Sequence, residues 1–242
     1  MATFCLSIVI PVYNEEKRLP QTLDHLLSFL SNQTYEYEVV IVENGSRDHT
    51  WEIAKDYARR FPQVRIFQER LKGKGWAVRR GMLEAVGDYR FMCDSDFSMP
   101  IDHINRFLPP MSEDFEVVIG SREAPGAHRV GEPIYRHLVG RVFNLMIRIF
   151  ALPGLHDTQC GFKCFKSQAA EVLFQKQTLK GWSFDVEVLF IARLLGYKVN
   201  EIPIPWYFNP ESKVKVIRDS AQMAFDLFVI RWNSMRGIYR QA

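Results

Sequence analysis

The sequence predicts an α/β protein built on an open, mainly parallel sheet flanked by helices, and three observations carry that reading. Short apolar runs alternate four times with helix-periodic stretches before residue 94. The run 37–42 contains Val39-Val40-Ile41-Val42 unbroken, the pattern of a strand covered on both faces, as parallel strands are. Hydrophobic residues make up 47% of the 242, enough for a substantial core and too many for a disordered chain. In such sheets crossovers are right-handed by default, and ligands bind outside the carboxyl ends of the strands.

Each element follows from local pattern. A first strand over 6–10 is closed by Pro11. Asn14-Glu15-Glu16 opens a helix carrying Leu19, Leu23, Leu26, Leu27 and Leu30 at helical spacing. After the second strand, Glu43-Asn44-Gly45-Ser46 turns the chain, and Asp48 or Ser46 is placed to cap a helix ending near Phe61-Pro62. A third strand covers 64–67, and Gly73-Lys74-Gly75 leads into a helix over 76–85, ended by Gly87. The fourth strand, 88–93, runs into Asp94-Ser95-Asp96, and Pro100 prevents it from continuing. A fifth strand covers 115–120, and 123–133 reads as a Gly/Pro-rich charged loop.

The second half is less regular. The helix over 138–152 has a narrow polar stripe of His137, Arg141, Asn144 and Arg148 on an otherwise apolar circumference. That pattern fits a buried helix or one in a membrane interface, and burial is the favoured reading. Residues 181–187 open a helix running to Leu195 and stopped by Gly196; a last strand over 199–204 is assigned to a sheet edge by Pro203 and Pro205. Residues 217–239 form a C-terminal amphipathic helix with Ala221, Ala224, Phe225, Phe228, Trp232, Met235 and Tyr239 on one face. Docking of that face on the core is the commoner arrangement, with lipid headgroups as the alternative.

Composition excludes several classes. A formal charge of +3 is too mild to argue for nucleic acid. The four cysteines form no disulfide or zinc pattern and read as free thiols of a reducing compartment. Met1-Ala2-Thr3-Phe4 lacks a charged n-region, so no signal peptide is expected, and no apolar run approaches the ~20 residues of a transmembrane helix.

Chemistry concentrates in four compact polar loops at strand ends: 11–16, 43–48, 73–75 and 94–96. Asp94 and Asp96, two apart on an extended chain, point to one side, and their like charges call for a cation between them. Mg²⁺ or Mn²⁺, taking carboxylates plus phosphate oxygens, meets that need. Gly73 and Gly75 let backbone amides approach a phosphate, with Lys72 and Lys74 adding charge. Glu43 and Asn44 suit a base or ribose, or simply the turn itself.

In order along the chain, Ile10-Pro11-Val12-Tyr13-Asn14-Glu15-Glu16, Val42-Glu43-Asn44-Gly45-Ser46-Arg47-Asp48, Lys72-Gly73-Lys74-Gly75 and Asp94-Ser95-Asp96 resemble the family-two inverting glycosyltransferases of GT-A fold. The likeness covers the first ~120 residues, and four ordered motifs make it specific. It implies that Pro11, Tyr13, Glu15, Glu43 and Lys74 line a nucleotide site, and that Asp94 and Asp96 hold metal and diphosphate. Glu43-Asn44 departs from the Asp-Asp usual there, which weakens the base contacts. Ser98 is a weak candidate for a third ligand.

Downstream, Asp157-Thr158-Gln159-Cys160-Gly161-Phe162-Lys163 and Gly181-Trp182-Ser183-Phe184-Asp185-Val186-Glu187 resemble the polyprenyl-phosphate branch, and most of all its dolichyl-phosphate glucosyltransferases. The resemblance implies a single GT-A domain over 1–242: a nucleotide-sugar half (1–122), an acceptor half (123–205), and a phosphate loop with the C-terminal helix (206–242). A lipid phosphate is already an oxyanion and needs cations rather than a general base. Arg122, Arg129, Arg136, Arg141, Lys163, Lys213 and Lys215 are the candidates, with Asp157, Asp185 and Glu187 orienting them or the sugar. The expected activity is inverting transfer of a hexose, glucose from UDP-glucose, to a polyprenyl phosphate by a peripheral enzyme on the cytoplasmic face of a membrane. GDP-mannose as donor, a saccharide or protein hydroxyl as acceptor, a nucleotidyltransferase and a silent nucleotide-sugar binding module are the alternatives.

Overall fold

A computed structural model describes residues 4–96, 98–209 and 216–240, with the side chains of 216–219 left aside. The first four strands are β1 (Cys5–Val12), β2 (Glu36–Glu43), β3 (Val64–Gln68) and β4 (Tyr89–Cys93). Helices α1 (Leu19–Ser31), α2 (Thr50–Arg60) and α3 (Lys74–Glu84) connect them. All four strands are parallel, in the order β3-β2-β1-β4. Alternation along β1 sorts the core: Ile8 and Ile10 face the layer holding α1, whereas Val9 faces the layer holding α3. Each is fully buried, a contribution of about 1.5–3 kcal/mol per side chain.

The sheet continues through β7 (Phe162–Lys166), β5 (Val117–Ser121) and β8 (Val199–Pro203). β7 runs antiparallel between β4 and β5, and β8 forms the edge that its prolines suggest. β7 and the following α5 (Ser167–Lys176) have no counterpart in the sequence reading, because Lys163 and Lys166 break the apolar pattern of the strand. A short parallel pair, β6 (His128–Val130) with β9 (Pro205–Tyr207), and a 3-10 helix (Ile101–Phe107) are further additions. All four cysteines are free thiols, three of them buried.

Three expectations are corrected. Helix α1 begins at Leu19 rather than at Asn14. Asn14 takes a left-handed φ of 49°, its amide donates to Ser46 Oγ and its Oδ1 accepts from the Arg47 amide, which ties the loop to the turn after β2. The helix expected over 138–152 is α4 (Ile134–Phe150), and it is not buried. Only Phe143 and Ile147 are enclosed, while Ile134, Leu138 and Ile149 are 86%, 62% and 65% exposed. In α7 (Val216–Met235), which follows α6 (Phe184–Leu194), the core contact is made by Met223, Leu227 and Ile230. Of the stripe expected to dock, Ala224 and the later Tyr239 do face the core, but Phe225, Phe228, Trp232 and Met235 face outward. Among the described residues no helix is long and apolar enough to cross a membrane.

Candidate active site

The loops after β1, β2, β4 and β5 open on one cavity of about 630 Å³, closed on its far side by α4, residues 157–161 and 181–185, and Trp206. Asp94 and Asp96 both line it, brought there by the end of β4. The Ser98 amide donates to Asp96 Oδ1 (3.1 Å), and Thr22 Oγ1 of α1 donates to the Ser95 carbonyl (2.9 Å), so the turn is fixed from both sides. Burial and then the neighbouring charge of Asp94 push the Asp96 carboxyl up.

Lys74 Nζ lies 2.7 Å from Asp94 Oδ1 and 5.3 Å from the centroid of the Trp182 ring. Burial alone would lower its pKa, but Asp94, Asp185 and Asp96 outweigh burial and raise it, so the ammonium stays charged. A cation thus already rests against the acidic pair, and the donor set is one that a hard divalent ion accepts. Among the described residues no cluster of three or more His, Cys, Asp or Glu offers a complete protein cage. The cavity lining carries six Arg and Lys against seven Asp and Glu, so a diphosphate meets no surplus of positive charge from side chains alone.

Gly161, at the mouth of β7, accepts the Asp94 amide (3.2 Å), and a Cβ on it would lie 1.9 Å from Asp94 Oδ2. No side chain fits there without moving the carboxylate. Gly161→Ala is therefore expected to lower kcat on the order of a hundredfold while shifting the melting temperature little, which activity and thermal unfolding on one preparation would check.

The glycine loop is used differently from expectation. The Gly73 amide donates to Asn44 Oδ1 (2.8 Å) and the Gly75 amide to the Lys180 carbonyl (2.9 Å), so neither is open to a phosphate. Asn44 also donates to the carbonyls of Glu69 and Leu71, and so pins the loop that presents Lys72 and Lys74. Glu43 turns back on Gln68 and the Ser46 amide and does not line the cavity. Pro11, Tyr13, Glu15, Asn44, Lys72 and Lys74 do line it, with Glu15 held by Arg18 at 2.7 Å.

On the opposite wall, Arg122 and Asp157 form a two-pronged pair, with Nε and Nη2 at 2.6 and 2.9 Å from the carboxylate oxygens. Burial would raise the Asp157 carboxyl; the guanidinium's charge and hydrogen bonds prevail and hold it well below the usual carboxylate range. Arg129 and Arg136 also line the cavity, Arg129 ion-paired to Glu123 and Glu132. Two expected cations are elsewhere. Lys163 is 1% exposed beneath the floor, its Nζ 2.6 Å from Asp185 Oδ1, and Arg141 is on the outer side of α4. Lys213 and Lys215 lie outside the described residues. Glu187 is fully buried and holds Thr178, Leu179 and Tyr239 rather than a ligand.

Arg18, Thr158 and Asn144 also line the cavity, without having been singled out as site residues. Arg18 was visible as the i,i+3 partner of Glu15. Thr158 Oγ1 and Asn144 Oδ1 are buried on the lining without a protein hydrogen-bond partner, and no local pattern announces that.

Residues 7–174 match the family description Glycosyl transferase family 2. The dolichyl-phosphate beta-glucosyltransferases of Dictyostelium discoideum and Homo sapiens are each 32% identical to the chain, over 97% of it and 76% and 77% of themselves. That of Saccharomyces cerevisiae is 34% identical over 97% of the chain and 76% of its own length. Among solved structures, glucosyl-3-phosphoglycerate synthase from Mycobacterium tuberculosis, with Mn²⁺ and UDP-glucose, superposes with a TM-score of 0.68 at 16% identity, covering 94% of this chain and 78% of that one. That likeness speaks for the GT-A fold. Taken with the strand-end acidic pair and the sheet order, the sequence matches mean that the chain belongs to glycosyl transferase family 2, in the branch of the dolichyl-phosphate beta-glucosyltransferases.

Proposed function

We propose that the chain transfers glucose from UDP-glucose to a dolichyl or related polyprenyl phosphate with inversion at the anomeric carbon, acting peripherally at the cytoplasmic face of a membrane. The observation that carries this reading is the acidic pair at the end of β4, with Lys74 ion-paired to Asp94 at 2.7 Å, on the wall of a cavity of about 630 Å³. The names of the curated relatives favour this donor sugar and acceptor.

Asp94 and Asp96 would hold Mg²⁺ or Mn²⁺, which when bound supplies positive charge to the departing diphosphate. Lys74, already against Asp94, is placed to share that diphosphate. Pro11, Tyr13, Glu15, Asn44 and Lys72 wall the nucleotide end. Asp185, anchored by Lys163, together with Thr158 Oγ1 and Asn144 Oδ1, meets the sugar hydroxyls. Arg122, Arg129 and Arg136 face the acceptor phosphate, whose oxyanion attacks without a general base.

Incubating radiolabelled UDP-glucose or GDP-mannose with polyprenyl phosphate and Mn²⁺, then counting the organic phase, tests the assignment. Glucose label is expected to enter the organic phase at least about tenfold faster than mannose, the preference that one or two well-placed hydrogen bonds provide. Label confined to the aqueous phase contradicts the acceptor, and a mannose preference contradicts the donor.

A further inference from the structure

Twelve of the nineteen large apolar side chains exposed among the described residues sit on α4 and α7. On α4, Ile134, Leu138, Val142, Leu145 and Ile149 share the side opposite the enclosed Phe143 and Ile147. On α7, Phe225, Phe228, Trp232 and Met235 recur at 3-4-3 spacing, 58–74% exposed. The two helices pack on each other, and at the C-terminal end of α4 the exposed Phe150 meets Phe228 of the α7 stripe with ring centroids 6.4 Å apart, so exposed apolar side chains of the two helices adjoin there. A globular helix turns its apolar side inward; here both helices keep a second one in solvent.

The charges around this surface select its partner. Arg141 and Arg148 border the α4 stripe, and Arg231 and Arg236 flank that of α7, all exposed. Helix α4 has no acidic residue, and Asp226, the one acidic residue of α7 whose side chain is described, is buried against Ser183 Oγ at 2.6 Å. A second copy seated face to face would bring arginine against arginine. An anionic bilayer takes the apolar side chains below its headgroups and the arginines among its phosphates, with Trp232 and Tyr135 suited to the boundary. The inner sides of the same helices line the cavity, through Phe143, Asn144 and Ile147 of α4 and Met223 of α7.

We infer that the outward side of α4 and α7 is the membrane-docking surface, which holds the rim of the active-site cavity against anionic lipid. The inference deepens the proposed function and rests on it for the reason a lipid surface is needed. The test is co-sedimentation of the full chain with vesicles of phosphatidylcholine containing about 30% phosphatidylserine, and with phosphatidylcholine alone. Wild type, the double variant Leu138→Glu/Trp232→Glu and the control Val86→Glu, an exposed apolar site on the loop between α3 and β4, would be compared. Transfer to a short, water-soluble polyprenyl phosphate reports that each is folded.

Wild type and control are expected to pellet with anionic vesicles, with partition at least about tenfold weaker for the double variant, which keeps its transfer to the soluble acceptor. The inference is overturned if the double variant pellets like wild type, if wild type does not pellet, or if wild type forms a dimer that the variant loses. Selective pelleting without transfer by any form would sink the acceptor assignment and leave the surface standing.

Discussion

Asp157→Asn is expected to lower stability by about 3 kcal/mol and to reduce activity as well, because it takes from the Arg122 guanidinium the carboxylate that holds it by two hydrogen bonds. The pair joins the end of β5 to the loop before β7: Asp157 takes two side-chain bonds and the backbone amide of Arg122, and its own amide donates to Glu201 Oε1 at 2.6 Å. A loss of that size moves the midpoint of a domain this long by roughly 6–12 °C. The double variant Arg122→Met/Asp157→Asn is expected to recover part of the stability and none of the activity, since the uncompensated charge is gone but so is the cation facing the acceptor. Denaturant unfolding of the four members of the cycle measures this; additive losses would show that the two groups do not act as a pair.

The sign of the pH dependence follows from the depressed carboxyl. With its folded pKa below the unfolded value of about 4, Asp157 adds stability that is complete above the unfolded value and disappears as pH falls through the folded one. Stability from this pair is therefore flat across neutral pH, and only strongly acid solution removes it.

The frame of the molecule was legible because it is written in local pattern. Short β-branched apolar runs such as Val39-Val40-Ile41-Val42 suit a doubly covered strand, and a polar turn after each of four parallel strands leaves one end of the sheet for a ligand. Asp94 and Asp96 were legible for the same reason. What stayed hidden depends on partners remote in sequence. Asn44 and Glu43 have the chemistry of ligand contacts, but one pins the loop at 69–73 and the other its own turn. Lys163 reads as a cation for the acceptor phosphate until β7 is found inserted antiparallel between β4 and β5, which carries the lysine under the floor to Asp185. The periodicity of α4 and α7 shows that each is amphipathic, yet it does not say which apolar stripe the neighbours cover.

The acidic pair is the centre of the account, and its removal is expected to separate function from folding. Burial, and after it the like charge of Asp94, raises the Asp96 carboxyl. Replacing both by Ala relieves that conflict but takes from Lys74 its 2.7 Å partner; with the nearby charge of Asp185 remaining to Lys74, the two effects offset and the fold is expected to hold. What disappears is the grip on the diphosphate as negative charge builds on it, an effect on the order of a thousandfold in kcat. The decisive measurement is glucose transfer from UDP-glucose to polyprenyl phosphate by Asp94→Ala/Asp96→Ala, beside its thermal unfolding. The prediction is a normal melting temperature with transfer reduced to about a thousandth of wild type; transfer within about tenfold of wild type, from a protein equally well folded, would contradict it.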